Sequence, residues 1–189
     1  MKYIVLLTTS HNPSYRTRSF VKDLAGCLPG IIRVHRGKKT LLQLALEARR
    51  YGAKYVMVVG ERKGNPSLIR IYQVKAFLVR TSLMDHIASI VISGVKLSRE
   101  LSISSKAYNI ETVGVDSTQC ISNTCFQLAD LFIKIFEVKL DLIKPDLWIV
   151  ISEKDHTTIS FKNRLGSIVG PIIGVRRVKI IGGKAKDSS

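Results

Sequence analysis

Apolar positions along this chain fall into runs of β-branched and aliphatic residues that alternate with stretches repeating every three or four. Residues 3–8, Tyr-Ile-Val-Leu-Leu-Thr, have the pattern of a buried strand. Asn12-Pro13 then offers a capping side chain followed by proline at the first helical position. A helix continuing to about residue 27 places Phe20, Val21, Leu24 and Cys27 on one face, and Pro29-Gly30 ends it. Residues 31–34 read as a short strand. Thr40 caps a second helix with Leu41, Leu44, Ala45 and Ala48 as its inward stripe and Gly52 as its stop. A buried strand at 55–59 and a basic turn, Arg62-Lys63-Gly64-Asn65-Pro66, follow. Residues 68–74 alternate as a strand that continues through 76–83.

The second part is richer in strands. Residues 87–95 and 110–115 are strand-like, with a mixed stretch at 97–105 between them. The longest helix is expected over 118–138, where Ile121, Cys125, Leu128, Ala129, Phe132, Ile135 and Phe136 recur at helical spacing. Pro145 breaks the chain before strands at 147–152, 157–162 and 172–181. Strands alternating with helices in this way predict an α/β fold built on a sheet. No repeat period and no low-complexity linker divide the chain. It reads as a single domain with a half at 1–84, a half at 85–181, and a flexible tail at 182–189.

Charge changes the picture most. Thirty Lys and Arg against fourteen Asp and Glu give a net +16. Residues 1–84 hold 16 basic and 3 acidic side chains (Asp23, Glu47, Glu61), a balance of +13, and the remainder hold 14 and 11, or +3. A surplus concentrated in one half is what a polyanion-binding face requires. Hydrophobic residues make up 46% of the chain, enough for a packed core, and no apolar run reaches the ~20 residues that span a bilayer. With no recognisable signal peptide, a cytoplasmic location is expected, or a nucleolar one in a nucleated cell. Cys27, Cys120 and Cys125 lack metal-ligand spacing and read as small buried hydrophobes in a reducing compartment.

Candidate chemistry is sparse. His11, His35, His86 and His156 are scattered, the acids do not pair, and no phosphate-cradling Gly-x-x-x-x-Gly-Lys-Ser/Thr occurs. No cofactor, metal or small-molecule substrate is expected, and enzymatic activity is not. Phosphate binding is better supported, at three basic turns that each follow a strand. The first runs from Thr8 to Ser14 into a helix start, where backbone N–H groups and the helix dipole would favour an anion. It contributes Ser10, His11 and Asn12, with Arg16, Arg18 and Lys22 just beyond. The second is Arg33-Val34-His35-Arg36-Gly37-Lys38-Lys39-Thr40, and the third contains Arg62 and Lys63. In an α/β sheet, turns after strand carboxyl ends can share one edge. Ser10, His11, Asn12, Arg16, Arg18, Lys22, Arg36, Lys38, Lys39, Arg62 and Lys63 are therefore the candidate RNA-binding residues. Few aromatics (7%) argue for recognition of backbone and shape over base stacking.

Thr8-Thr9-Ser10-His11-Asn12-Pro13-Ser14, with Arg16 and Phe20 following, resembles the opening signature of the Brix-domain family of ribosome-biogenesis proteins. Arg36-Gly37, the segment 59–66 with Arg62-Lys63-Gly64-Asn65-Pro66, and Val169-Gly170-Pro171 before the last strand continue the resemblance, which is thin between about 83 and 144. Within the family, the opening is most similar to the small-subunit processome member that associates with box C/D RNA, and the short length resembles the archaeal form. The resemblance implies the Brix fold of two related α/β halves, each similar to the anticodon-binding domain of class IIa aminoacyl-tRNA synthetases. It also implies binding to precursor rRNA or a box C/D guide RNA, alongside ribosome-assembly proteins and without a membrane. Two positions depart from the family pattern. Ile172 stands where relatives often carry arginine, with Arg176-Arg177 following later, and His11 stands where an arginine is usual. A basic protein-interaction scaffold without direct RNA specificity is the alternative, and a phosphoester-processing enzyme using Ser10 and His11 is a third reading.

Overall fold

The computed structural model describes residues 3–79, 82–101, 109–138 and 144–181. β1 (Val5–Thr9) is buried along its whole length because it lies between two parallel neighbours, β2 (Ile31–Arg33) and β3 (Tyr55–Arg62). α1 (Tyr15–Cys27) and α2 (Leu41–Arg50) supply the crossovers. β4 (Asn65–Val79) and β5 (Ser82–Lys96) form a long antiparallel hairpin beside β3. After a 3-10 turn at Ser98–Glu100 come β6 (Val113–Gln119), α3 (Asn123–Phe136), β7 (Leu147–Glu153), β8 (Thr157–Asn163) and β9 (Ile172–Ile180).

All nine strands join in one sheet, in the order β2-β1-β3-β4-β5-β9-β8-β7-β6. The two halves share a pairing pattern. β1 is parallel to β3, which is antiparallel to β4 and then β5, and β6 is parallel to β7, which is antiparallel to β8 and then β9. They meet where β5 pairs antiparallel with β9, from Ala88 opposite Ile180 to Lys96 opposite Ile172. The residue 84/85 boundary read from charge thus falls inside a single strand. α1 and α3 lie on one face over a continuous core that includes Phe20, Leu24, Ile71, Ile90, Phe132 and Phe161. α2 covers a smaller cluster on the opposite face, with Leu44, Ala45 and Ala48 against Leu6, Val56 and Val58.

Local signals placed some elements well. Thr40 caps α2 in a capping box with Gln43, its hydroxyl accepting from the Gln43 N–H at 3.2 Å while the Gln43 side chain accepts from the Thr40 N–H at 2.8 Å. Several expectations need correction. α1 is capped by Ser14, not by Asn12, which adopts a left-handed φ of 48° and leaves Pro13 outside the helix. Leu41 is exposed at the start of α2 and does not join its inward stripe. The run expected as one strand over 76–83 belongs to two strands, and residues 80–81 between them lie outside the described residues. α3 begins at Asn123, so residues 118–119 end β6 and Ile121 is exposed. Most of the mixed stretch at 97–105 and the whole tail at 182–189 also lie outside the described residues.

The cysteines differ from expectation too. Cys120 and Cys125 form a disulfide, with their Cα atoms 5.4 Å apart. Five positions apart within one helix they would point to different sides, but Cys120 precedes α3 on the turn from β6 and can reach across. Cys27 is a buried free thiol whose burial pushes its pKa up, so it packs as a hydrophobe.

Val169, Gly170 and Pro171 are buried. A Cβ built on Gly170 would lie 2.7 Å from the Cys27 Sγ and 3.1 Å from the Phe161 ring. The closing glycine-proline segment therefore packs the start of β9 against α1 and β8. Gly170→Ala should destabilise the fold by about 1–3 kcal/mol through overpacking, read as a lower urea midpoint with unchanged slope. An unchanged midpoint would show that the contact relaxes freely.

Candidate nucleic-acid interface

Because β1, β2 and β3 are parallel, the loops that leave their carboxyl ends meet on one edge of the sheet. Cross-loop hydrogen bonds hold them there. The Thr8 hydroxyl donates to the Val34 carbonyl at 2.8 Å, and the Ser10 N–H donates to the Val59 carbonyl at 2.8 Å. His11 Nδ1 lies 2.9 Å from the Gly37 carbonyl, and its Nε2 faces Arg36 Nη2 at 3.4 Å. One neutral tautomer satisfies both contacts, with Nδ1–H donating and Nε2 accepting. Both ring nitrogens are thereby engaged, which leaves neither to take a proton from Ser10.

The third loop is a two-residue hairpin. Lys63 and Gly64 have positive φ, 51° and 77°, between the paired residues Arg62 and Asn65, the geometry of a type I′ turn. Arg62 and Lys63 are exposed on this rigid tip. Asn65 and Pro66, expected in the turn, already belong to β4.

The start of α1 is not the open anion cradle that the sequence suggests. Glu61, at the end of β3, fills it. One carboxylate oxygen accepts from the Ser14 N–H at 2.8 Å and from the Thr17 hydroxyl at 2.7 Å, with the Ser14 hydroxyl also 2.8 Å away. That hydroxyl is 2.8 Å from the Gly64 carbonyl as well, so the first and third loops are tied. A helix N-terminus favours negative charge, and here the protein supplies it. Glu153 at the end of β7 does the same for α3, accepting from the N–H groups of Ile121 and Ser122 at 3.0 and 2.7 Å.

The basic side chains separate into committed and open ones. Arg16 is held by Glu100 and by the Val95 carbonyl, at 2.9 Å, which ties α1 to the segment after β5. Lys39 pairs with Glu47 at 3.0 Å. Arg18 stacks over the exposed ring of Tyr15, 5.4 Å from its centroid, and its Nε donates to the Pro13 carbonyl at 3.1 Å. Asn12, Lys22 and Lys38 are exposed. Arg33, absent from the candidate set, is exposed at the end of β2 beside Arg18 in a cleft of about 290 Å³ between the first two loops. Its signal was the strand alternation, which puts it on the same face as Ile31.

Arg36 lines that cleft and is only 7% exposed. Its Nε and Nη1 are buried without a partner, and no carboxylate pairs with it among the described residues. Burial holds its pKa below the usual arginine value, the nearby Tyr72 acting slightly the other way. Each unsatisfied buried donor costs about 1–3 kcal/mol. Two further cavities carry mixed charge. One, about 800 Å³ at the seam between β5 and α3, is lined by Asp85, Asp130 and Lys134, and another by Glu153 and Arg176. Among the described residues no cluster of His, Cys, Asp and Glu could hold a metal, and no helix is long and apolar enough to cross a membrane.

A single sheet with few helices and a basic loop edge is a fold that other proteins share. No family model matches the sequence. A probable Brix domain-containing ribosomal biogenesis protein from Aeropyrum pernix is 36% identical over 170 residues, covering 88% of this chain and 92% of the relative. A protein of the same description from Pyrobaculum aerophilum is 30% identical over 188 residues, 93% of each chain. Among solved structures, a probable ribosomal biogenesis protein from Aeropyrum pernix superposes with a TM-score of 0.77 at 34% identity, over 94% of this chain and 99% of that one. Mil, an archaeal Imp4-like protein, superposes with a TM-score of 0.63 at 22% identity, over 93% and 99%. This chain belongs to the Brix domain-containing ribosomal biogenesis proteins.

Glu61 gives a test of how the edge is held. Its carboxyl sits below the usual carboxylate range, first because the Thr17 hydroxyl donates to it; burial acts the other way, and the Ser14 N–H, the Ser14 hydroxyl and the Arg18 charge then add to the lowering. A depressed folded pKa contributes stability above the unfolded value, near 4.5, that is lost as pH falls through the folded one. Glu61→Gln should cost about 1 kcal/mol at pH 7, and in urea unfolding the gap to the wild type should narrow as pH falls below about 4.5. A gap independent of pH would show that the charge is not what matters.

Proposed function

We propose that this protein is an RNA-binding ribosome-assembly factor that holds precursor rRNA, or an associated guide RNA, against the loop edge of β1, β2 and β3 and so assists pre-rRNA processing and subunit assembly. It does this without catalysing a reaction. The observation that carries the reading is the convergence of three cross-bonded basic loops. They present Arg18, Lys22, Arg33, Lys38, Arg62 and Lys63 from one end of a rigid sheet. Lysine and guanidinium groups so placed match a phosphate backbone and carry no base readout. Arg16 and Lys39 act within the protein under this reading, since carboxylates already hold them. Ser10, His11 and Asn12 shape the first loop, and Arg36 stands behind it.

The same reading extends to the fold. The matching strand pairings of the two halves are what descent from one anticodon-binding-like unit would leave, and the +13 balance of residues 1–84 supports an RNA surface on the N-terminal half. The exposed leucines Leu41, Leu42 and Leu46 on α2 favour an additional surface for assembly proteins, which keeps the scaffold role as a companion to RNA binding.

Six phosphate contacts would weaken binding about a thousandfold between ~50 and ~200 mM salt. Replacing Arg62 and Lys63 together by alanine should lower the slope of log affinity against log salt by about 2, with a similar loss for unrelated structured RNAs. Fluorescence anisotropy across a salt series with a precursor rRNA fragment measures it. A slope the double variant leaves unchanged would remove the hairpin tip from the interface, and wild-type binding that ignores salt would remove the phosphate reading altogether.

A further inference from the structure

We infer that the cleft between the first two loops is a subsite for a single phosphate group, with Arg36 as its buried guanidinium and Arg18 and Arg33 at its mouth. The inference rests on the RNA reading only for where the phosphate comes from.

Three observations converge on this cleft. The first is the state of Arg36. A side chain 7% exposed, with two donor nitrogens unpartnered and no carboxylate beside it, is a charge buried at a loss. Such a group is compensated by an anion that the chain itself does not supply. The contrast with Glu61 is direct, because there the protein has answered its own positive helix end and at Arg36 it has not. The second is the charge of the walls. Arg18, Arg33 and Arg36 all line the cleft, and among the described residues no acidic side chain does. The third is size. A cleft of about 290 Å³ stands at the small end of ligand sites, with room for one tetrahedral anion and a few waters and not for a stretch of oligonucleotide.

The surroundings hold the guanidinium in place. His11 Nε2 accepts from Arg36 Nη2, and its Nδ1–H is anchored on the Gly37 carbonyl of the same loop. That contact uses Nη2 and leaves the N–H groups of Nε and Nη1, which lie on different edges of the fork, free for single hydrogen bonds to an anion. His11 is thus a positioning residue, and the anion-facing charge is supplied from the second loop. Thr9, 8% exposed, lines the same cleft.

Inorganic phosphate and short RNAs test this on the full chain. The Arg36 Nε–H resonance of the wild type is followed during a phosphate titration at constant ionic strength, with thermal unfolding measured in phosphate and in chloride. Phosphate is expected to shift that resonance and raise the Tm of the wild type. Arg36→Met should lose the phosphate-dependent rise while unfolding in chloride no earlier than the wild type, because the charge it removes is unpaired. Arg36→Lys, which keeps the charge but not the fork, should keep part of the rise. A resonance that phosphate leaves in place, with no rise in Tm, overturns the proposal even if RNA still binds the basic edge. The wild-type titration decides this whether or not the methionine variant folds. Three RNAs of one sequence, ending in a 5′-phosphate, a 3′-phosphate or neither, then locate the source. About tenfold tighter binding of one phosphorylated end, lost in Arg36→Met, assigns the cleft to a chain terminus. Equal binding of all three, weakened alike in Arg36→Met, assigns it to an internal phosphodiester. If no RNA binds but phosphate moves Arg36, the RNA reading fails and the phosphate subsite stands.

Discussion

The antiparallel pairing of β5 with β9 is the constraint on which the remaining architecture depends. Each half, taken alone, would end at an open strand and cover only part of its apolar face. Pairing Ala88 through Lys96 with Ile172 through Ile180 joins the two into a single sheet, and α1 and α3 then share one unbroken core across the seam. The closing segment is fitted to the same junction, since Gly170 lets β9 begin against Cys27 of α1 and Phe161 of β8. A motif that resembles a family signature is here a packing device.

The functional edge inherits its stiffness from that sheet. Parallel β1, β2 and β3 aim their loops in one direction, and Ser14, Glu61, His11 and Thr8 bind those loops to one another. Two kinds of electrostatic work are kept apart. Helix starts are neutralised internally by Glu61 and Glu153, and ion pairs take up Arg16 and Lys39, while the open cations stand on α1, at the end of β2 and on the turns. The strategy places unpaired positive charge where a polyanion can reach it and leaves the rest of the fold balanced.

Much of this was legible in the sequence wherever the cause is local. The capping box at Thr40, the alternation of β8 and the position of the basic turns depend on residues a few places apart, and the structure has them where pattern puts them. What escaped depends on distant partners. Ser14 caps α1 because Glu61, forty-seven residues on, holds it, and no local signal distinguishes it from Asn12. The β4–β5 turn lacks glycine and proline, so an apolar run concealed two strands. The start of α3 was read too early because β-branched Thr118 and Ile121 fit a helical period by chance, and the same error hid the Cys120–Cys125 bridge. For the site, residue type and loop position were visible from the start. Which cations were already paired, and that Arg36 was buried without a partner, required the third dimension.

β2, at one margin of the sheet, is three residues long and ends in exposed Arg33, and β6 at the other margin breaks its register between Asp116 and Gln119. A nine-stranded sheet with two long regular borders would offer unsatisfied backbone groups to any extended chain nearby. A truncated, charged border on one side and an irregular one on the other deny that template. Neither border thus gives an extended chain a long regular ladder to join.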